Sequence, residues 1–254
     1  MHKFTMSRIV AAGLLGLMPT SLSAQDTLRV DQGRIDGSFI ESFSVVWRGT
    51  PTQADGSVGT SFTVEEEYQV LGEGDDALLK MTQVWNDTIG QPLFVSVRVS
   101  NRKSMEYRAF HTGRSPGGVG HLDFDDGFVT GMYAPAPEQP IRSYALQLDE
   151  RPFASMSGIM VASFPLEENA ELVYPGFGWG GMTNPAMSWR TVEVVDREYL
   201  TISDGGRMLA WKVRTGNLLF WLSKEAPYFL KAEAVGGNGQ RTTFEIVSWT
   251  PGAQ

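Results

Sequence analysis

Apolar and polar residues alternate along most of this chain. In residues 61–70, Phe62, Val64, Tyr68 and Val70 share one face of an extended strand, and Ser61, Thr63, Glu65, Glu67 and Gln69 share the other. Glu66 is the exception, a carboxylate in the apolar row. Residues 78–85 put Leu79, Met81 and Trp85 in register. Leu93, Val95, Val97 and Val99 then alternate with Phe94, Ser96, Arg98 and Ser100, which reads as a half-buried strand. Further strands are predicted at 42–47, 105–111, 119–124, 128–133, 142–148 and 171–174. Turn-forming residues separate them, including Asp125-Asp126-Gly127 as a hairpin tip.

Residues 189–249 carry the pattern furthest. Short β-branched and aromatic runs alternate there with Asp204-Gly205, Thr215-Gly216 and Asn238-Gly239, which predicts a meander of antiparallel hairpins. Leu218, Phe220 and Leu222 face one side of their strand while Leu219 and Trp221 face the other, so both faces need covering. Residues 153–164 break the rule. Phe153, Met156, Ile159, Met160 and Phe164 recur at helical spacing up to Pro165, predicting one short apolar helix over about 152–164. Val161 extends the apolar surface around that helix, as befits a lid or plug across a hollow, and the stiff flanks at Arg151-Pro152 and Pro165 favour the plug. The glycine-rich stretch 176–185 reads as a loop. The fold class is therefore mainly β, an antiparallel meander with one short apolar helix packed on it, and residues 25–254 form one domain.

The first 24 residues read differently. Lys3 and Arg8 precede an apolar run over 9–18 and small residues ending at Ala24, the pattern of a cleaved secretory leader. The expected location is periplasmic or secreted, in soluble form. The chain has no cysteine, so disulfides, thiolate chemistry and attachment through a lipidated cysteine are all excluded. Net charge is −8, and loss of the leader removes two bases and no acid, giving −10. Such an acidic chain disfavours nucleic acid and anionic membrane surfaces as partners.

Candidate chemistry is sparse. His121, Asp123 and Asp125 share a strand face, a spacing metal ligands can adopt, but a second histidine ligand would have to be His111. A solvated strand edge accounts for the same residues. Glu66 would need a base such as Arg98 or Lys80, or would become the best acid–base candidate. No nucleophile elbow or credible Ser-His-Asp set is present, and the glycines at 176–181 lack a P-loop lysine. The reading assigns no catalytic residue, metal or cofactor. Trp85, Trp189, Trp211, Trp221 and Trp249 read mostly as core.

Three segments resemble one family: 148–166, containing Ser163-Phe164-Pro165-Leu166; 198–213, a strand, glycine turn and strand; and 219–231, a tryptophan-bearing strand with its return strand. Over residues 140–249 the chain resembles an exported bacterial group, the domain of unknown function 3108, which is similar to the lipoprotein-carrier and lipoprotein-receptor fold. The resemblance implies a half-barrel or open barrel curved around an apolar helix. With the two-faced apolar meander, it leads to the expectation of a non-enzymatic protein binding an apolar or lipidic ligand, or an acyl chain, in the hollow. Met156, Ile159, Met160, Phe164, Phe220 and Trp221 are the expected contacts. The alternatives are an envelope structural or interaction module with a filled core and, behind it, a hydrolase using Glu66 or the His121 region.

Overall fold

The computed structural model describes residues 26–114, 118–134, 139–180, 184–202 and 205–252. The leader read at residues 1–24 lies outside them. Fifteen strands among the described residues form one curved, mostly antiparallel sheet that does not close into a barrel. The first meander runs through β2 (Phe43–Thr52), β3 (Phe62–Leu71), β4 (Leu78–Asn86), β5 (Pro92–Asn101), β6 (Tyr107–Arg114), β7 (Val119–Asp125), β8 (Phe128–Ala134) and β9 (Arg142–Gln147). The second runs through β10 (Glu171–Gly180), β11 (Asn184–Thr201), β12 (Arg207–Thr215), β13 (Leu218–Leu222), β14 (Phe229–Val235) and β15 (Arg241–Pro251). Pairing of β15 with β2 fuses the two. The short strand β1 (Asp26–Thr27) runs parallel to β10, so β1 and β9 are the sheet edges.

Local chemistry accounts for the tight turns. Asp126 and Gly127 have φ of 41° and 79°, the double left-handed step of a two-residue hairpin whose twist matches the flanking strands. The run at 189–195 and the start of the run at 198–203, read apart in the sequence, join in the single long strand β11, which ends at Thr201, with a register shift between Val194 and Asp196.

Residues 148–170 cross the concave side from β9 to β10. Backbone hydrogen bonds from Tyr107 N–H to Pro152 C=O (3.0 Å), Ala154 N–H to Met105 C=O (2.9 Å) and Phe153 N–H to Pro175 C=O (2.9 Å) stitch this segment between the start of β6 and β10. The same bonds explain why the helix predicted over about 152–164 shrinks to one turn, α1 (Ile159–Ala162). The N–H groups of Phe153 and Ala154 serve Pro175 of β10 and Met105 beside β6, and Ser157 takes φ 48°, so helical propagation begins only after Gly158. Lys224 closes the other end of α1, donating to the carbonyls of Ala162 and Phe164. Phe153, Met156, Ile159 and Phe164 have no exposed area and are the centre of the core.

Two further expectations change. The stretch 176–185 is not simply a loop: residues 176–180 extend β10 and residues 184–188 pair back as β11. The glycines are used for clearance. A Cβ on Gly176 would lie 2.7 Å from Arg190 Nε, and one on Gly178 would lie 2.9 Å from Arg190 Nη2, so the Arg190 side chain lies over glycine backbone. The second change concerns β5. Its pairing with β4 places Ser96, Arg98 and Ser100 beside Gln83, Met81 and Leu79 on the concave face, while Leu93 and Val95 are 46% and 38% exposed. The polar row is inside. β-Branched residues suit an extended backbone on either face, so the valines mark a strand without marking its buried side.

Candidate functional site

Strands on either side of the β15–β2 junction enclose an apolar cavity of about 290 Å³. Trp47 comes from β2, Val64 from β3, Trp85 from β4, Phe220 from β13, Phe229 from β14 and Phe244 from β15. Each sits on the concave side because alternate residues of a strand share a face. The aromatic walls brace one another: Trp47 and Phe229 ring centroids are 4.5 Å apart, Phe220 meets Phe229 edge-on at 5.3 Å, and Phe244 meets Trp85 edge-on at 5.9 Å. Such edge contacts fix ring orientations as well as burying area.

The polar part of this cavity is Glu66, which is 4% exposed. Its Oε2 accepts hydrogen bonds from Trp47 Nε1 (3.1 Å) and the Tyr68 hydroxyl (3.0 Å). Its Oε1 accepts from Gln83 Nε2 (2.6 Å) and Ser157 Oγ (2.7 Å). Burial, and then the Glu66 charge, push the Tyr68 pKa well above its ordinary 10.0, which keeps that hydroxyl a donor. The left-handed backbone at Ser157 aims its Oγ at the carboxylate. Neither base proposed from the sequence pairs with Glu66. Lys80 donates to Gln69, and Arg98 donates to Ser96 Oγ (2.9 Å) and, at 3.5 Å, to Gln83 Oε1. Four neutral donors, two to each carboxylate oxygen, do the work expected of one cation.

Two more cavities continue the hollow. One of about 510 Å³ shares Ser157, Leu218 and Phe220 with the apolar cavity and adds Met160, Tyr174 and Arg190. One of about 220 Å³ lies beyond it, between Arg98, Tyr107, Ser155 and Arg190.

The structure brings only some of the sequence-derived candidates to these walls. Phe220 lines the first two cavities and Met160 lines the second. Met156, Ile159 and Phe164 lie within the packed segment beneath, where Met156 Sδ accepts the Ser100 hydroxyl at 3.6 Å. Trp221 points to the convex face. It is buried there with Ala210 and Leu230, donates to Glu198 Oε1 (2.6 Å), and is flanked by the Lys212 and Lys231 ammonium groups. Of the other tryptophans, Trp85 lines the apolar cavity, Trp211 and Trp249 pack against the core partly buried, and Trp189 is 45% exposed. Trp47, Phe229, Phe244 and Arg190 were absent from the candidates. Trp47 was visible as the inward residue of an alternating run, but its neighbours across β15 depend on a pairing that no local pattern announces.

His111 and His121 lie on the convex face. His111 Nδ1 is 2.8 Å from His121 Nδ1, and His121 Nε2 is 2.6 Å from Asp123 Oδ2. Burial, and then the neighbouring His121, push the His111 pKa below its ordinary 6.5. Asp125 sits exposed at the strand end. Among the described residues no group of three or more His, Asp or Glu side chains has the geometry to hold a metal ion. No described helix is long and apolar enough to cross a membrane.

No protein-family model matches the sequence, and no curated protein matches it. The resemblance to domain of unknown function 3108 and to the lipoprotein carrier and receptor is thus not confirmed. The fold has structural neighbours. A β-barrel-like protein of domain of unknown function DUF1849 from Brucella abortus superposes with a TM-score of 0.50 at 8% identity, covering 84% of this chain and 99% of that one. A DUF1329 family protein from Desulfovibrio piger matches at TM-score 0.28 and 12% identity, over 87% and 88% of the two chains. The first likeness supports a β-barrel-like fold of unknown function.

Proposed function

We propose that this is an exported, periplasmic, non-enzymatic protein that binds an apolar or lipidic chain in the hollow of its curved sheet. The observation that carries the reading is the cavity of about 290 Å³ walled by Trp47, Val64, Trp85, Phe220, Phe229 and Phe244. Its size is at the lower end of the roughly 300–1,000 Å³ range of small-ligand sites, and it shares Ser157, Leu218 and Phe220 with the larger cavity beside it. Burying about ten methylenes contributes about 8 kcal/mol at about 0.8 kcal/mol each, before the costs of ordering the chain. The absence of enzymatic chemistry is part of the proposal, supported by the saturation of Glu66. The test is native mass spectrometry of delipidated protein mixed with long-chain fatty acids and phospholipids. Stoichiometric uptake of a chain, reduced by Phe229→Asp, is the expected result; no uptake of any chain overturns the reading.

A second reading has its own observation. Phe153, Met156, Ile159 and Phe164 are packed with no exposed area within the core, as expected of an envelope interaction module with a permanent plug. Under that reading the remaining cavities take up no chain, so the same experiment separates the two.

A further inference from the structure

The apolar cavity does not explain the two arginines further along the hollow. Arg98 from β5 and Arg190 from β11 both line the third cavity, of about 220 Å³, together with Tyr107, Phe110, Ser155 and Phe177. Among the described residues neither guanidinium forms an ion pair with a carboxylate. Arg98 is held by the Ser96 hydroxyl and lies over the Phe110 ring at 5.3 Å. Arg190 lines the middle cavity with Tyr174 and lies over the bare backbone of Gly176 and Gly178. Both side chains share the wall of this cavity with Tyr107. The one carboxylate in the cavities described above, Glu66, is saturated by its own four donors and meets Arg98 only through Gln83.

Two half-buried cations lining one cavity repel each other and lose part of their hydration, a cost that an anion between them offsets. Guanidinium groups are also the side chains best matched to a carboxylate or phosphate, presenting paired N–H donors in a plane. The placement stands out in a chain whose net charge is −8. Position completes the argument. The middle cavity shares Ser157 and Phe220 with the apolar cavity and Ser155 and Arg190 with the arginine cavity. The hollow therefore gains charge along its length: its aromatic walls carry no cation at one end and two arginines at the other.

We infer that Arg98 and Arg190 form an anion subsite for the carboxylate or phosphate head of an amphiphile whose apolar chain occupies the aromatic cavity. The inference rests on the proposed function for the chain-binding half, while the arginine subsite stands on its own contacts.

The test compares dodecyl phosphate, dodecanol and inorganic phosphate by titration calorimetry below micelle-forming concentrations. It uses the wild-type protein, Arg98→Met, Arg190→Met and the convex-face control Arg48→Met. In the wild type, dodecyl phosphate is expected to bind at least about tenfold tighter than dodecanol, as one charge-assisted bidentate contact requires. Each hollow variant should bring dodecyl phosphate down to the dodecanol level and leave dodecanol unchanged, and Arg48→Met should change neither. Equal binding of the two amphiphiles by the wild type overturns the subsite and leaves the apolar reading standing; that comparison does not depend on any variant folding. Inorganic phosphate that binds the wild type and is lost in Arg98→Met, with no uptake of either amphiphile, supports an anion subsite for free phosphate and overturns the apolar reading. No binding of any of the three probes overturns both.

Discussion

Removing the Glu66 carboxylate is the sharpest test of how the apolar cavity is held. Glu66→Ala leaves Trp47 Nε1, the Tyr68 hydroxyl, Gln83 Nε2 and Ser157 Oγ without their acceptor. The four are not equivalent. Trp47 and Tyr68 are 2% and 1% exposed, and an indole N–H can only donate. Gln83 and Ser157 border the cavity and can find other partners. An orphaned buried donor costs about 1–3 kcal/mol, so the two sealed donors put Glu66→Ala at about 4 kcal/mol. Glu66→Gln behaves differently because an amide can present its oxygen to Trp47 and Tyr68. Its nitrogen then faces the Ser157 oxygen and a turned-over Gln83. Only the charge assistance is lost, about 1–2 kcal/mol.

Urea unfolding followed by tryptophan fluorescence reads the difference directly. With a slope of about 2 kcal/mol per molar, the alanine variant should lose about 2 M in midpoint and the glutamine variant less than half of that. An alanine variant within about 1 kcal/mol of wild type would show that the donors around Glu66 re-pair freely. A glutamine variant as damaged as alanine would show that the charge, not the acceptor geometry, holds the network.

The remaining predictions address other parts of the fold. Met156→Asp places a carboxylate where no side-chain area is exposed, so a thermal melt should show loss of the cooperative transition rather than weakened probe binding. Trp221→Ala on the convex face should cost about 3–5 kcal/mol, whereas Trp221→Phe keeps the packing and loses mainly the bond to Glu198; equal losses in a urea melt would contradict the packing argument. Burial raises the pKa values of Tyr68, Tyr107, Tyr174 and Tyr228 above 10.0. For a group raised by folding, the unfolded chain releases its proton first, so this stability is fully present below pH 10.0 and is lost as pH climbs above it. A tyrosinate absorbance titration should show these tyrosines ionising later in the native state than after denaturation; coincident curves would refute it.

Where the local pattern determined the outcome, the sequence was legible. The strand at Phe62–Leu71 and its inward Glu66 follow from a period of two, because successive side chains of an extended chain must point to opposite faces. The Asp126-Gly127 hairpin follows from backbone conformations that few residue pairs adopt. The burial of the apolar segment around Met156, read as a lid or plug across a hollow, was legible because residues apolar on every side need apolar surroundings. Its helical length was overestimated, since helical spacing of apolar residues does not reveal that Phe153 spends its N–H on Pro175 of β10 and Ala154 on the Met105 carbonyl just before β6.

The cavity was less legible, and β5 shows why. Alternation reports that one face differs from the other, and convention assigns the apolar face to the interior. In β5 that assignment is reversed by its neighbours, because Met81 opposite Arg98 and Leu79 opposite Ser100 are themselves fully buried. Register is a property of the pair, and a one-residue slip would exchange the two faces. The same holds for the glycines of β10. Read along the chain, 176–181 is a break in pattern; read across the ladder, Gly176 and Gly178 are the space taken by the Arg190 side chain. Both departures bring an arginine into the hollow. A strand that turns its valines outward and its arginine inward gives up apolar burial, and a strand that uses glycine beside arginine gives up side-chain packing. That two elements from different meanders make these sacrifices around one cavity is the strongest sequence-level support for a ligand with a charged head.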